Sequence, residues 1–272
     1  MSQPEPLPAE VAEALTRAGD RLGIFQRDLL WYAEVSSTND LAATLAERGA
    51  PEGTVVAANA QHAGRGRYGR TWASPPGAGL YVSTVLRPSS HLTSLITIAA
   101  GVAVADAIQT ATGLVTRVKW PNDVFVEERK LAGILTEAVV GADVQAPRAR
   151  SIRHVVLGFG INVMPAAHPP DVAARATSIE GELGRAVDRG LLLAEALCAL
   201  AARYVQLQTG YAAEVTNAWR ARAAQTFGRS VRWDTGDATV EGIAENIDEA
   251  GALVVRTPRG VERVISGELT WT

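Results

Sequence analysis

A glycine- and arginine-rich stretch, residues 64–70, has the composition that points most directly to chemistry, with arginines at 65, 67 and 70. Glycine lets backbone N–H groups come close to an anion, and guanidinium groups donate paired hydrogen bonds to phosphate or carboxylate oxygens. Trp72 follows and adds a flat apolar face on which a purine could stack. The stretch predicts a site for a nucleotide-bearing anion, although its composition alone also fits a mobile basic loop or a nonspecific RNA-binding segment.

Lys119 lies near the end of an apolar strand predicted over residues 115–120, and Pro121 interrupts that strand because proline has no N–H to donate. An ammonium group there could neutralise charge on an α-phosphate and on a pyrophosphate leaving group. Asn122 and Asp123 come next, at a strand end where many α/β active sites collect polar groups. A surface lysine before a turn is the simpler alternative for this segment taken alone.

Ser37, Thr38 and Asn39 stand at the start of a helix predicted over residues 39–48. Their hydroxyl and amide groups suit a small polar ligand, because the first N–H groups of a helix have no partner within the helix. An ordinary N-cap is the alternative, and spacing alone favours it.

Two strand segments contain glycine where a ligand could lie. Gly133 falls within residues 130–137, and Gly158 and Gly160 come just before Asn162. A glycine in a strand lets a flat apolar ligand approach the backbone closely. Both segments also fit core strands, and a core strand can at the same time form the floor of a pocket.

The elements that must position these residues mix strands and helices up to about residue 225. Apolar runs predict strands over residues 29–35, 54–60, 80–86, 115–120, 130–140 and 152–161, with a polar loop containing Pro147 between the last two. Helical spacing predicts helices over residues 9–18, 39–48, 92–110, 188–208 and 211–224. Short strands over residues 230–233, 239–247, 252–257 and 261–265 suggest a small barrel. We therefore divide the chain into an N-terminal tail with a short helix (1–27), a catalytic domain (28–225) and a C-terminal barrel (226–272).

Composition excludes several classes of protein. A net charge of −3 gives no overall attraction to nucleic acid. The single cysteine, Cys198, rules out an intrachain disulfide and a cysteine-ligated zinc site, and its apolar helical surroundings predict burial. The first eight residues lack the basic start and apolar core of a signal peptide. The longest uncharged apolar run, residues 92–105, is short for a membrane span, so we expect a buried helix and no membrane segment. From the single cysteine and the missing signal peptide we also expect no protein-held metal and a cytoplasmic location.

Taken together and in this order, the segments resemble the biotin protein ligase family. The resemblance covers roughly residues 31–269, and its specific part is the combination of the Gly-Arg-Gly-Arg loop with Lys-Trp-Pro-Asn-Asp. The matching segments are residues 37–39, Gln61 with residues 64–70, residues 119–123, 130–137 and 158–162, and a C-terminal stretch, 242–268, that includes Gly267 and Glu268.

The resemblance implies an α+β fold: a mixed β-sheet catalytic domain related to class II aminoacyl-tRNA synthetases, followed by an SH3-like barrel. It also implies a reaction in two steps. Biotin and ATP first give biotinyl-5′-adenylate and pyrophosphate, with Mg²⁺ assisting. Biotin then passes to one lysine of a biotin carboxyl carrier protein or domain, as in acetyl-CoA carboxylase, and AMP is released.

Residue roles follow from the matching positions. Lys119 and Arg67 would be catalytic, with Lys119 contacting the biotin carboxyl group and the α-phosphate. The residues implied to bind biotin are Ser37, Thr38, Asn39, Gln61, Arg65, Gly66, Arg67, Lys119 and Gly133. On the nucleotide side, Arg70 would support the phosphates, Trp72 would cover the adenine, and Asn162 would fix the nucleotide.

Some family members carry an N-terminal winged helix-turn-helix that represses transcription, and here residues 1–27 hold one short helix, too little for a three-helix DNA reader. We therefore expect a ligase that does not bind operator DNA, as a monomer or a homodimer. The nearest alternative is a lipoate- or octanoate-handling ligase of the same fold, which is not expected to combine these two motifs. A nucleic-acid-binding module is the other alternative, but residues 231–269 carry four basic against eight acidic side chains and no aromatic stripe.

Overall fold

The structure is a computed structural model that describes residues 3–142, 150–234, 239–265, 267 and 269–271. Within these residues the chain forms six α-helices and twelve β-strands, joined by turns and short 3-10 helices. The helices are α1 (Ala9–Ala18), α2 (Thr38–Glu47), α3 (Thr93–Thr112), α4 (Ile179–Leu183), α5 (Arg189–Gln208) and α6 (Ala212–Arg222). The strands are β1 (Leu29–Tyr32), β2 (Val55–Ala58), β3 (Gly79–Leu86), β4 (Arg117–Lys119), β5 (Asp123–Val126), β6 (Arg129–Ala142), β7 (Arg150–Asn162), β8 (Ser230–Asp234), β9 (Thr239–Ile247), β10 (Leu253–Thr257), β11 (Gly260–Val264) and β12 (Leu269–Trp271).

Seven strands form one mixed sheet in the order β1-β2-β3-β7-β6-β5-β4. β1 and β2 run parallel, and every other neighbouring pair in this sheet is antiparallel. The last five strands form a separate antiparallel sheet in the order β11-β10-β9-β8-β12. The α+β class is confirmed, and the second sheet is consistent with a small SH3-like domain.

The two faces of the seven-stranded sheet have different surroundings, because successive residues of a strand point to opposite sides. On β7, Leu157 and Phe159 belong to the main hydrophobic core, whereas Val156 packs into a smaller cluster with residues of α2. Gly158 and Gly160 share the face of Val156. α2 covers only part of that face, and the uncovered part is where a cavity forms.

The long helices α3 and α5 pack against each other beside the main core, which contains residues of both. By length and composition either could cross a membrane, but 72% and 67% of their apolar windows are buried inside the protein. Such burial is what the core helices of a folded domain show. The buried helix expected from the sequence is confirmed, although α3 has 20 residues and exceeds the apolar run on which that expectation was based. Cys198 is buried as predicted.

The structure differs from the sequence predictions in several elements. β5 was not predicted, and it forms a hairpin with β4, which is shorter than the strand predicted over residues 115–120. The N-terminal helix α1 packs against α5, and Val11 and Ala14 are buried in the main core. The loop at Pro147 and the residue Glu268 lie outside the described residues. The three-part division of the chain stays a prediction; α6 ends at Arg222 and β8 begins at Ser230.

Candidate active site

A cavity of about 740 Å³ opens over β6 and β7, on the sheet face that α2 leaves uncovered. It brings together most of the residues predicted from the sequence. Eleven of those twelve line it: Ser37, Thr38, Asn39, Gln61, Arg65, Gly66, Arg67, Arg70, Trp72, Gly133 and Asn162. The exception, Lys119, is described below.

Glycine residues leave the floor of this cavity without side chains. Gly133 on β6 pairs with Gly160 on β7, and the indole of Trp72 lies against both. A Cβ at Gly160 would come within 2.5 Å of Trp72 Nε1, and one at Gly133 within 3.1 Å of Trp72 Cζ3. The indole Nε1 is buried and has no hydrogen-bond partner among the described residues. The indole ring therefore lies on the glycine floor and lines the cavity.

The closed end of the cavity is a buried network of hydroxyl and amide groups. Asn39 fits there because position 158 is glycine: a Cβ at Gly158 would lie 2.0 Å from Asn39 Oδ1. Ser83 Oγ donates to Asn39 Oδ1 at 2.6 Å and lies 2.8 Å from Thr38 Oγ1. The Thr38 backbone N–H donates to Gln61 Oε1 at 2.8 Å. Sequence reasoning missed Ser83, since a serine inside an apolar strand has no local signature.

Ser37 serves as the N-cap of α2, because its side chain accepts a hydrogen bond from the Asp40 N–H. This is the alternative that spacing favoured in the sequence analysis. Ser37 also lines the cavity and is almost fully buried. The N-cap interpretation and the ligand-binding interpretation are thus compatible at this residue.

The Gly-Arg loop, residues 64–70, lies along the rim of the cavity, and its first arginine, Arg65, forms ion pairs with residues outside the loop. Arg65 Nη2 is 2.7 Å from Asp40 Oδ1 and 2.7 Å from Glu137 Oε2. Glu137 also accepts a hydrogen bond from Asn39 Nδ2 at 2.8 Å, so one carboxylate connects the loop to the polar end. The loop is closed on itself by the Gly66 N–H, which donates to the Arg70 carbonyl at 2.7 Å. Glu137 was within a quoted motif but had not been assigned to the site.

Lys130, and not Lys119, is the lysine that lines the cavity. Lys130 Nζ is 2.6 Å from Asp123 Oδ1 and 5.3 Å from the centre of the Trp72 ring. Lys119 Nζ instead lies over Phe125, at 5.1 Å from the ring centre, and over Trp271, at 5.3 Å. Burial lowers the pKa of Lys119.

The prediction that Lys119 contacts the reacting groups stays a prediction, because Lys119 does not line the cavity in this structure. β4 is the edge strand, two positions away from β6, so a side chain at its end reaches β5 and the C-terminal sheet. Lys130 is the second residue of β6 itself. Both lysines stand in the motifs quoted above. Their different positions relative to the cavity follow from the order of the strands, which neither motif reveals.

The far wall of the cavity comes from residues 167–176, a segment that the sequence analysis did not single out. Asn162 holds this wall, because its Nδ2 donates to the Thr177 carbonyl at 2.9 Å and its side chain is buried. The Lys130 N–H donates to the Arg175 carbonyl, and the Thr177 N–H donates to the Lys130 carbonyl, both at 2.9 Å. The wall is thus fixed to the start of β6 by backbone hydrogen bonds.

The charge of the lining favours an anion. Five cationic side chains line the cavity against two carboxylates, and the cations are Arg65, Arg67, Arg70, Lys130 and Arg175. Arg67 Nη1 donates to Asn122 Oδ1 at 3.3 Å, so its guanidinium group stands at the end of the β4–β5 hairpin. From the closed end to the rim, the cavity presents a polar end, a glycine floor and a cationic rim. A ligand with a small polar head, a flat body and a phosphorylated end matches these three surfaces in that order.

Comparison with known proteins gives a consistent result. Residues 31–162 match the Biotin/lipoate A/B protein ligase family, and residues 226–269 match the Biotin protein ligase C terminal domain. The bifunctional ligase/repressor BirA of Bacillus subtilis is 35% identical over 266 residues, which cover 96% of this chain and 79% of that protein. The biotin--[acetyl-CoA-carboxylase] ligase of Paracoccus denitrificans is 39% identical over 246 residues, covering 87% and 98%. The solved biotin protein ligase from Aquifex aeolicus in complex with biotin and ATP has a TM-score of 0.73 and 26% identity, covering 90% and 99%.

Proposed function

The chain belongs to the biotin protein ligase family, and from that premise we propose that it forms biotinyl-5′-adenylate from biotin and ATP and transfers the biotinyl group to a lysine of a biotin carboxyl carrier domain. The observation that carries the proposal is the glycine floor between a closed polar end and a cationic rim. These three surfaces follow one another in the order that biotin's head, its chain and the adenylate require.

The head group of biotin is a small cyclic urea, which needs both hydrogen-bond donors and acceptors. Thr38, Asn39 and Gln61 supply them at the closed end, where the surrounding burial strengthens each hydrogen bond. Gly133 and Gly160 leave room for the body of the ligand on the sheet. Trp72, which rests on these glycines, offers its indole face to adenine.

Adenylation requires two anions to meet, since the biotin carboxylate attacks the α-phosphorus and the bond to pyrophosphate breaks. Cationic donors offset this repulsion and stabilise the charge that develops on the phosphoryl oxygens. Arg67 and Arg70 on the loop and Lys130 on β6 are in position to do so. Lys130 is proposed for this role from the geometry of the cavity, and Lys119 is proposed for it from the family resemblance.

Transfer needs no covalent bond to the protein. The amine of the acceptor lysine attacks the carbonyl carbon of the mixed anhydride, the bond to AMP breaks, and the amine loses a proton. Until the acceptor arrives, the anhydride must be kept from water, which a closed loop over residues 64–70 provides.

Mg²⁺ fits the site as an ion that enters with ATP. Among the described residues no group of three His, Cys, Asp or Glu side chains could hold a metal by itself. Asp123 and Asn122 line the cavity and could add oxygen ligands to an ion bound mainly by phosphates, the arrangement that Mg²⁺ favours. When bound, the ion neutralises phosphate charge.

ATP–pyrophosphate exchange tests the proposal, with biotin and lipoate compared at equal concentrations. We expect exchange with biotin, and labelling of a purified carrier domain when it is added. Exchange with lipoate alone would show that the chain belongs to the other branch of its family. No exchange with either acid would refute the proposal. The absence of DNA binding, the oligomeric state and the cytoplasmic location remain predictions.

A further inference from the structure

The C-terminal sheet touches the Gly-Arg loop at Tyr68. The Gly267 N–H, between β11 and β12, donates to Tyr68 Oη at 2.9 Å. Arg67 Nη2 donates to the same oxygen at 3.1 Å, and the Arg67 guanidinium carbon lies 4.9 Å from the centre of the Tyr68 ring. One phenol oxygen therefore accepts from the loop's arginine and from the C-terminal sheet, as its two lone pairs allow.

The backbone of Tyr68 is held in an unusual conformation. Its φ of +56° and ψ of +37° fall in the left-handed region, which bulky side chains rarely adopt. Such conformations persist where surrounding contacts fix them, and they cluster at ligand clamps. The contacts at the Tyr68 side chain are the stacking on Arg67 and the two hydrogen bonds to its oxygen.

The C-terminal sheet is a fixed support for this contact. Trp120 Nε1 donates to the Gly251 carbonyl at 2.9 Å in a buried position. Lys119 lies over Trp271, which connects β4 to β12. Residues of the C-terminal sheet, such as Val231 and Leu253, belong to the same hydrophobic core as the catalytic domain. A loop tied to this sheet is consequently tied to the body of the protein.

We propose that Tyr68 is a positioning residue that anchors the Gly-Arg loop to the C-terminal sheet and thereby holds Arg67 over the bound adenylate. This inference rests on the proposed function and gives the C-terminal sheet a part in retaining the intermediate. Arg67 contacts the ligand, whereas Tyr68 acts through Arg67. Weakening the anchor should raise the escape of adenylate more than it slows its formation.

The test compares Tyr68→Phe with Tyr211→Phe. Tyr68→Phe keeps the ring under Arg67 and removes the oxygen that accepts both hydrogen bonds. Tyr211→Phe removes the phenol oxygen of a residue with nearly equal exposure, 56% against 55% for Tyr68, just before α6 and outside the cavity lining. We expect the release rate of preformed biotinyl-adenylate to rise about tenfold in Tyr68→Phe, as the loss of hydrogen bonds to a charged donor and an amide suggests. The Tyr211→Phe variant should retain adenylate like the wild type.

Hydrogen exchange of the unliganded protein provides a second measurement that does not depend on catalysis. The Gly66, Arg70 and Trp72 amides donate within the loop region and should exchange faster in Tyr68→Phe than in Tyr211→Phe. Normal exchange together with normal adenylate retention would overturn the proposal. If the wild type forms no adenylate, the proposed function fails, and hydrogen exchange alone then decides whether Tyr68 anchors the loop. Thermal unfolding of both variants excludes a general loss of structure.

Discussion

Adding one methyl group at Gly158 should disable the polar end of the cavity. The Cβ of Gly158→Ala would lie 2.0 Å from Asn39 Oδ1, 2.9 Å from Asn39 Cγ and 3.2 Å from Ser83 Oγ. Asn39 is buried and must move, which breaks its hydrogen bonds to Ser83 and Glu137. Overpacking costs about 1–3 kcal/mol, and each lost hydrogen bond about 1 kcal/mol. Because Asn39 is proposed to contact biotin, we expect biotin binding to weaken by roughly ten- to a hundredfold.

Calorimetric titration with biotin measures this effect, and Gly101→Ala is the matched control. A Cβ at Gly101, inside α3, would have its nearest neighbours at 3.9 Å, which is ordinary contact. That variant should bind biotin normally and gain some helix stability, since alanine favours a helix over glycine by about 1 kcal/mol. Neither glycine has a positive φ, so backbone strain does not confuse the comparison. Biotin affinity within twofold of the wild type in folded Gly158→Ala would refute the assignment of the polar end.

Three further predictions concern charged groups. Lys130→Gln should lower biotin-dependent pyrophosphate exchange by about a hundredfold or more, because it removes a cation from the reacting phosphates. Lys119→Gln should mainly lower the melting temperature if the geometry of this cavity decides. The opposite ranking would support Lys119 as the catalytic lysine, as the family resemblance implies. Arg67→Gly should release more adenylate into solution, as measured by chase with unlabelled biotin, and unchanged retention would contradict its role. Burial and the nearby Arg87 lower the pKa of His154, so its neutral form is favoured in the folded state. Folding stability should therefore fall as pH drops below about 6.5, and the fall should be smaller in His154→Gln when both are followed by urea unfolding.

The sequence was sufficient for much of the site because its motifs fall where local rules apply. The N-cap at Ser37 and the glycines of β6 and β7 can be recognised from neighbouring residues alone. The positions of Lys119 and Lys130 could not be predicted in this way, since they depend on which strands are neighbours in the sheet. The wall formed by residues 167–176 was missed for a related reason: it contains no regular pattern, and only its hydrogen bonds to β6 bring it to the cavity.

The interactions that hold the site divide into strong ones beneath the ligand and weak ones above it. The floor is formed by paired strands, whose backbone hydrogen bonds and buried apolar neighbours prevent local opening. Two sets of exposed contacts hold the loop: the hydrogen bonds to Tyr68 Oη and the ion pairs of Arg65 with Asp40 and Glu137, whose side chains are all 38–49% exposed. Pairs this exposed contribute only about 0–1 kcal/mol. The loop can therefore open without disturbing the floor, which a ligase requires, because biotin and ATP must enter and an acceptor lysine must later reach the same anhydride.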